Sequence, residues 1–196
     1  AFQPGALVID VAAKALVTEP IHLLAVAVGG PAPRLISPRV IINVGEQAQA
    51  TFVEHYVSLG SEATFTNVVV HVACGPSAVV NHVKLQQEST ASYHLASTFV
   101  HLGRAATFTS QAITLGGRIA RNDIVSVLDG EGAECTLNGV YVASGDSLVD
   151  THTVIDHAKA HCPSHEVYRG ILAGKARAVF NGKIIVMPGA AGSNAA

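Results

Sequence analysis

The feature that most constrains this chain is a four-residue phrase, Gly-x-x-Ala, that recurs at Gly45/Ala48, Gly60/Ala63, Gly75/Ala78, Gly103/Ala106 and Gly130/Ala133. Each copy follows a run rich in Val, Ile and Leu, and the glycines are 15, 15, 28 and 27 residues apart. Such intervals describe a loosely spaced repeating unit with occasional longer or doubled turns. Around the phrase the residues alternate, as in Phe99-Val100-His101-Leu102 before Gly103 and Ala106-Thr107-Phe108-Thr109 after it. That is the period-2 signature of a strand. The unit reads as strand, tight turn, strand. Gly provides a corner with positive φ or a close backbone approach, and Ala fits where stacked coils leave room for one methyl.

Coils of this kind bury a continuous ladder of Val, Ile, Leu and Phe when they stack, so the predicted fold is an all-β solenoid. A β-sandwich is the alternative, because its turns also recur at short intervals. Asn138-Gly139 and Asn181-Gly182 read in isolation as hairpin turns and lean toward it. Composition agrees with a β fold. Apolar residues make up 49% of the 196 and charged residues 13%, which leaves little for solvated helix faces.

The same composition bounds function. Twelve basic and fourteen acidic residues give a formal charge of -2, and no Lys/Arg cluster interleaves with aromatics, so nucleic acid is not an expected partner. The longest apolar run, Ile21 to Val28, is interrupted by His22 and is far shorter than the about 20 residues that span a bilayer. No membrane association and a cytoplasmic location are therefore expected, in the absence of a signal-peptide pattern. Cys74, Cys135 and Cys162 are widely spaced without a CxxC pair and read as reduced thiols.

Longer words carry a resemblance. EHYVSLG (54–60), NHVKLQQES (81–89), HLASTFVHLGRAATF (94–108), LGGRIARNDI (115–124) and above all the block 128–190, LDGEGAECTLNGV through KIIVMPGA, resemble the core of the SufB/SufD family of the SUF iron–sulfur cluster assembly system. PRVIINVGEQAQATFVEHY (38–56) and ALVIDVAAKALVTEPIHLL (6–24) extend the match over almost the whole chain. Asp150-Thr151-His152-Thr153 and Cys162-Pro163-Ser164-His165 favour the SufD branch over SufB. The resemblance implies a right-handed parallel β-helix, here one domain over 1–196, truncated at both ends relative to a full-length member whose core is flanked by helical regions. It implies a scaffold without intrinsic catalysis, partnered by SufB-like and SufC-like subunits, with a homodimer through the terminal coils as a further expectation. No firmly bound cofactor is implied, although iron or an iron–sulfur cluster is a transient candidate. Flavin enters by family association only, with no residue to place it. The alternatives are a SufB-type cluster scaffold and, in another class, a β-helix carbohydrate-active enzyme or a His-lined metalloenzyme. With no Trp and four Tyr, the chain offers a poor sugar-stacking platform.

Candidate chemistry concentrates in histidines. His157, His161 and Cys162 are the metal-ligand candidates, with His101, His152 and His165 around them, since imidazole and thiolate suit iron and zinc. Strand parity puts His152 on one face with Asp150 and turns His157 the other way. The preferred reading of these histidines is polar residues hydrogen-bonded at coil corners. Cys74 and Cys135 read as small core residues, Asp129 to Glu134 as a corner rather than a calcium loop, and Arg118, Arg121, Asn122 and Asp123 as a solvated turn and strand edge in preference to an inter-coil ion pair.

Overall fold

The computed structural model describes residues 5–32 and 34–195. These contain fourteen strands and no helix: β1 (Leu7–Val11), β2 (Ile21–Val28), β3 (Arg34–Ile36), β4 (Arg39–Val44), β5 (Gln49–Leu59), β6 (Thr64–Cys74), β7 (Val79–Gln87), β8 (Tyr93–Leu102), β9 (Thr107–Thr114), β10 (Ile119–Leu128), β11 (Glu134–Ala143), β12 (Leu148–His157), β13 (Ser164–Leu172) and β14 (Arg177–Val186). Strands alternate between two sheets. An eight-stranded sheet runs β1-β4-β6-β8-β10-β12-β14, with β3 also on β6, and a six-stranded sheet runs β2-β5-β7-β9-β11-β13. Neighbours such as β6 and β8, or β5 and β7, pair in parallel. The architecture is a parallel β-solenoid of about six turns, one strand of each sheet per coil.

Why the chain folds this way is visible at one stack of corners. Ala48, Ala78, Ala106 and Ala133 each donate their backbone N–H to the carbonyl of the glycine three residues earlier, and all four alanines are fully buried. The third residue of the corner takes the left-handed conformation, as at Gln47, Ser77, Ala105 and Gly132. The glycines serve a different purpose. A Cβ on Gly130 would lie 2.0 Å from the backbone nitrogen of Arg104, so the phrase needs Gly for the approach of the coil beneath. These glycines are 30, 28 and 27 residues apart. Gly60 sits at the opposite corner, between β5 and β6, with φ of +94°. The repeat is one coil of 27–30 residues, and the two 15-residue intervals are half-coils between opposite corners.

Inward residues of the two sheets meet in a core whose largest apolar members are Phe52, Phe108, Ile42, Leu102, Leu128, Leu137 and Ile155. The Asn-Gly hairpins do not form. Asn138-Gly139 lies within β11 and Asn181-Gly182 within β14. Each glycine makes room for a large side chain of another strand: the Tyr168 ring covers Gly139, and the Glu166 carboxylate lies 2.8 Å from where a Gly182 Cβ would stand. Among the described residues, no helix is long and apolar enough to cross a membrane.

Candidate functional site

Polar side chains occupy a lane inside coils two to four. On β5 the inward positions are Phe52, Glu54 and Tyr56, and on β7 they are Val80, His82, Lys84 and Gln86. The alternation that buries Phe52 and Val80 also buries Glu54 and His82, to 1% and 2% exposure. An isolated buried charge would be costly, and here each has partners. The Tyr56 hydroxyl donates to Glu54 Oε2, and His82 Nε2 lies 2.8 Å from Glu54 Oε1. His82 Nδ1 is 3.1 Å from Ser110 Oγ on β9. In the neutral ring, Nε2–H donates to the carboxylate and Nδ1 accepts from the serine hydroxyl. Phe108 stacks on His82 with ring centroids 5.9 Å apart.

A second group adjoins it. Glu88, just past β7, accepts from the Thr66 hydroxyl of β6 and from the Gln86 amide, and its Oε2 lies 2.7 Å from His94 Nδ1 on β8. Lys84 links the two groups. Its ammonium donates to Asn122 Oδ1 on β10 at 2.9 Å and sits 5.7 Å from the centroid of the Tyr56 ring.

Burial alone would raise both carboxyls. For Glu54, His82, Tyr56 and Lys84 together outweigh it, and for Glu88, His94, Thr66 and Gln86 do, so both are held below the ordinary carboxylate range. Burial pushes Lys84 down to about 8 against the pull of Glu54, Glu88 and Asp123. It also lowers His94 to about 4, assisted by Lys84 and opposed by Glu88, which leaves that ring neutral at physiological pH. Glu54–His82–Ser110 has the hydrogen-bond order of a nucleophile triad. All three are buried at 2% exposure or less, and the arrangement ties β5, β7 and β9 together.

The metal-ligand candidates do not converge. His157, the last residue of β12, points inward, is fully buried, and has Nε2 3.0 Å from Ser164 Oγ. Burial lowers its pKa. His161 is exposed at the next corner with φ of +58°. Cys162 is buried, with its thiol donating to the carbonyls of Gly130 at 3.3 Å and Ala160 at 3.4 Å. His165 faces outward on β13. No group of three or more His, Cys, Asp or Glu able to hold a metal exists among the described residues. Two parity expectations hold: His152 Nε2 lies 2.8 Å from Asp150 Oδ1, and His157 faces the other side of the wall.

Cys74 and Cys135 are buried thiols, each raised to about 12 by burial. Asp129 to Glu134 form a corner, where Asp129 meets His101 at 3.1 Å. The solvated-turn reading of the basic patch is corrected. Arg121 and Asp123 lie within β10, and Arg121 binds Asp123 in two bonds and Asp150 of the next coil at 2.6 Å. Asn122 between them points inward to Lys84. For flavin, a cleft of about 690 Å³ at the β1–β2 end is lined by residues such as Leu7, Leu23, Val40 and Tyr56. It offers no helix N-terminus for a phosphate, and no step is derived through that group.

Residues 27–196 match the family model described as SUF system FeS cluster assembly, SufBD core domain, and the chain belongs to that family. It is 33% identical to the iron–sulfur cluster assembly protein SufD of Escherichia coli over 145 residues, 74% of this chain and 34% of that protein. It is 28% identical over 196 residues to the SufBD family protein slr0076 of Synechocystis sp., covering 96% of this chain and 43% of the relative. A third relative, the chloroplastic protein ABCI7 of Arabidopsis thaliana, is 27% identical over 154 residues, 76% of this chain and 32% of that one. The chain thus spans less than half the length of each of these three relatives.

Proposed function

We propose that this chain is the SufD-type scaffold core of a SUF complex, acting without catalysis of its own and pairing with a SufB-like subunit that works with a SufC-like ATPase. The observation that supports the pairing is the match of residues 27–196 to the SUF system SufBD core, and the last described coil is where it can be tested. Phe180 and Ile184 are 45% and 44% exposed, although the residues below them in register, Thr151 and Ile155, are buried. Among the described residues, the outer edges of β13 and β14 meet only the Ser164–Ala195 bridge. An apolar coil face with strand edges at its border is chemistry that coil-on-coil pairing with another solenoid can use. Iron and sulfide are cargo in this reading, and contact with them falls to solvent-facing His161 rather than to enclosed His157 or Cys162.

The test is light scattering after size exclusion of an equimolar mixture with a SufB-like subunit, using the native chain and the double variant Phe180→Asp/Ile184→Asp. The expected result is a one-to-one complex with the native chain and separate peaks with the variant. A complex that survives both substitutions would move the partner surface elsewhere. No complex with the native chain would remove the pairing from this core.

A further inference from the structure

Outside the solenoid, where each coil turns from the six-stranded into the eight-stranded sheet, large apolar side chains stand one above another. Register places Leu35 over Phe65, Phe65 over Tyr93, Tyr93 over Ile119 and Ile119 over Leu148. Leu35, Phe65 and Tyr93 are 58%, 38% and 37% exposed, although each belongs to a strand. Between Phe65, Tyr93, Leu95 and Ile119 lies a shallow cleft of about 470 Å³ with Arg34 on its wall. Apolar outward positions at five successive rungs exceed the scattered surface hydrophobe that needs no explanation.

Cations border this ladder. Arg118 precedes Ile119, and Arg177 follows Leu148 in register; both are exposed. Among the described residues, the arginine ion pairs all belong to Arg121, so neither these two nor Arg34 has an acidic partner there. Lys175 adds a fourth exposed positive charge at the corner, against exposed Glu62 and Asp146. A second copy of this face would therefore set like charges together. A partner strand is also a poor fit, because the ladder lies on a sheet face whose backbone groups are already paired.

The spacing suits a helix. Rungs are about 4.8 Å apart, close to the 5.4 Å turn of an α-helix, so a helix along the solenoid axis offers one apolar side chain per rung. Four rung steps make about 19 Å, the length of about 13 helical residues. We infer that this ladder is a docking strip for an amphipathic helix of another polypeptide, apolar at i, i+3 or i+4, i+7 and i+11 and acidic along its borders.

Fluorescence anisotropy tests this on the full chain with a labelled 14-residue helical peptide carrying Leu on that face and Glu beside it. Tyr93→Asp removes the central aromatic anchor and is expected to weaken binding by about 30-fold. Arg118→Glu/Arg177→Glu, exposed substitutions that leave the core alone, are expected to weaken it by about 5-fold and to flatten its salt dependence. A peptide with Lys for Glu is expected to bind more weakly by a similar factor. Affinity indifferent to the charge reversal, or equal binding of a scrambled peptide, overturns the proposal. So does self-association of the chain that Tyr93→Asp abolishes, which would make a second copy the occupant.

Discussion

Coils two to four and the last two coils are built from the same strands and corners, yet they satisfy interior polar groups to different degrees. In the first region Glu54, His82, Glu88 and Lys84 each find a partner on another strand or turn. In the second, Ser126 Oγ, Thr153 Oγ1, His157 Nδ1, Glu166 Oε1 and the Tyr168 hydroxyl are buried without a hydrogen-bond partner. An unpartnered buried polar atom forfeits its hydration and gains little in return. The comparison teaches that interior polarity stabilises this solenoid in proportion to how fully its atoms are matched across strands. The middle coils are the more fully partnered brace, with His94 Nε2 and Asn122 Nδ2 its unmatched atoms, and the last ones hold more unused polar capacity.

The brace is the place to break first. Glu54→Ala strands His82 and Lys84 beside an empty carboxylate site, and the expected loss is about 3–5 kcal/mol of unfolding free energy, read by urea denaturation. Next in size is the pH response. His94 titrates at about 4 in the fold against 6.5 unfolded, so its stabilising share is complete above 6.5 and lost as pH falls toward 4. Glu54 and Glu88 are held below their unfolded value, so their share is complete above that value, near 4.5, and disappears as pH drops through the folded ones. Lys84 acts oppositely at the alkaline end: the cost of its burial persists below about 8 and is relieved between there and 10.5. Denaturation midpoints across pH should therefore fall steadily below 6.5 and rise modestly above 8. A flat profile from 6.5 to 4 would mean that the interior groups do not titrate with folding.

The far coils should respond weakly and with reversed sign. Burial raises Glu166, so ionising it costs stability above its unfolded value. Glu166→Gln is expected to be neutral or stabilising at neutral pH by less than about 1 kcal/mol and to have no effect in acid. Thr153→Val, removing an unpartnered hydroxyl, belongs in the same range. A loss near that of Glu54→Ala in either variant would erase the contrast.

Much of the fold was legible because its determinants are local. The Gly-x-x-Ala phrase marks one stack of corners at four of its five sites, where close coil approach and a one-methyl space dictate the residues. Gly60 misled because a glycine at the opposite corner looks the same in sequence while its cause is positive φ. The Asn-Gly dipeptides misled because the residue that explains each glycine, Tyr168 or Glu166, is contributed by a different strand. The brace escaped for a related reason. Parity with Phe52 and Val80 could have flagged Glu54 and His82 as inward, but their meeting depends on a coil of 28 residues, known only once register is known. His157, His161 and Cys162 cluster in sequence without forming a ligand set because β12 ends at His157 and the corner that follows buries Cys162 while exposing His161.

Because His82 grips Glu54 on one side and Ser110 on the other, three coils are hydrogen-bonded through a single ring. A solenoid otherwise unzips from its ends, rung by rung, like a one-dimensional lattice with nearest-neighbour coupling. Each of these bonds joins adjacent coils, but sharing one ring makes the two depend on each other, so coils two to four should open as one cooperative block, and their amides should share one exchange rate, while those of β13 and β14 exchange by independent fraying.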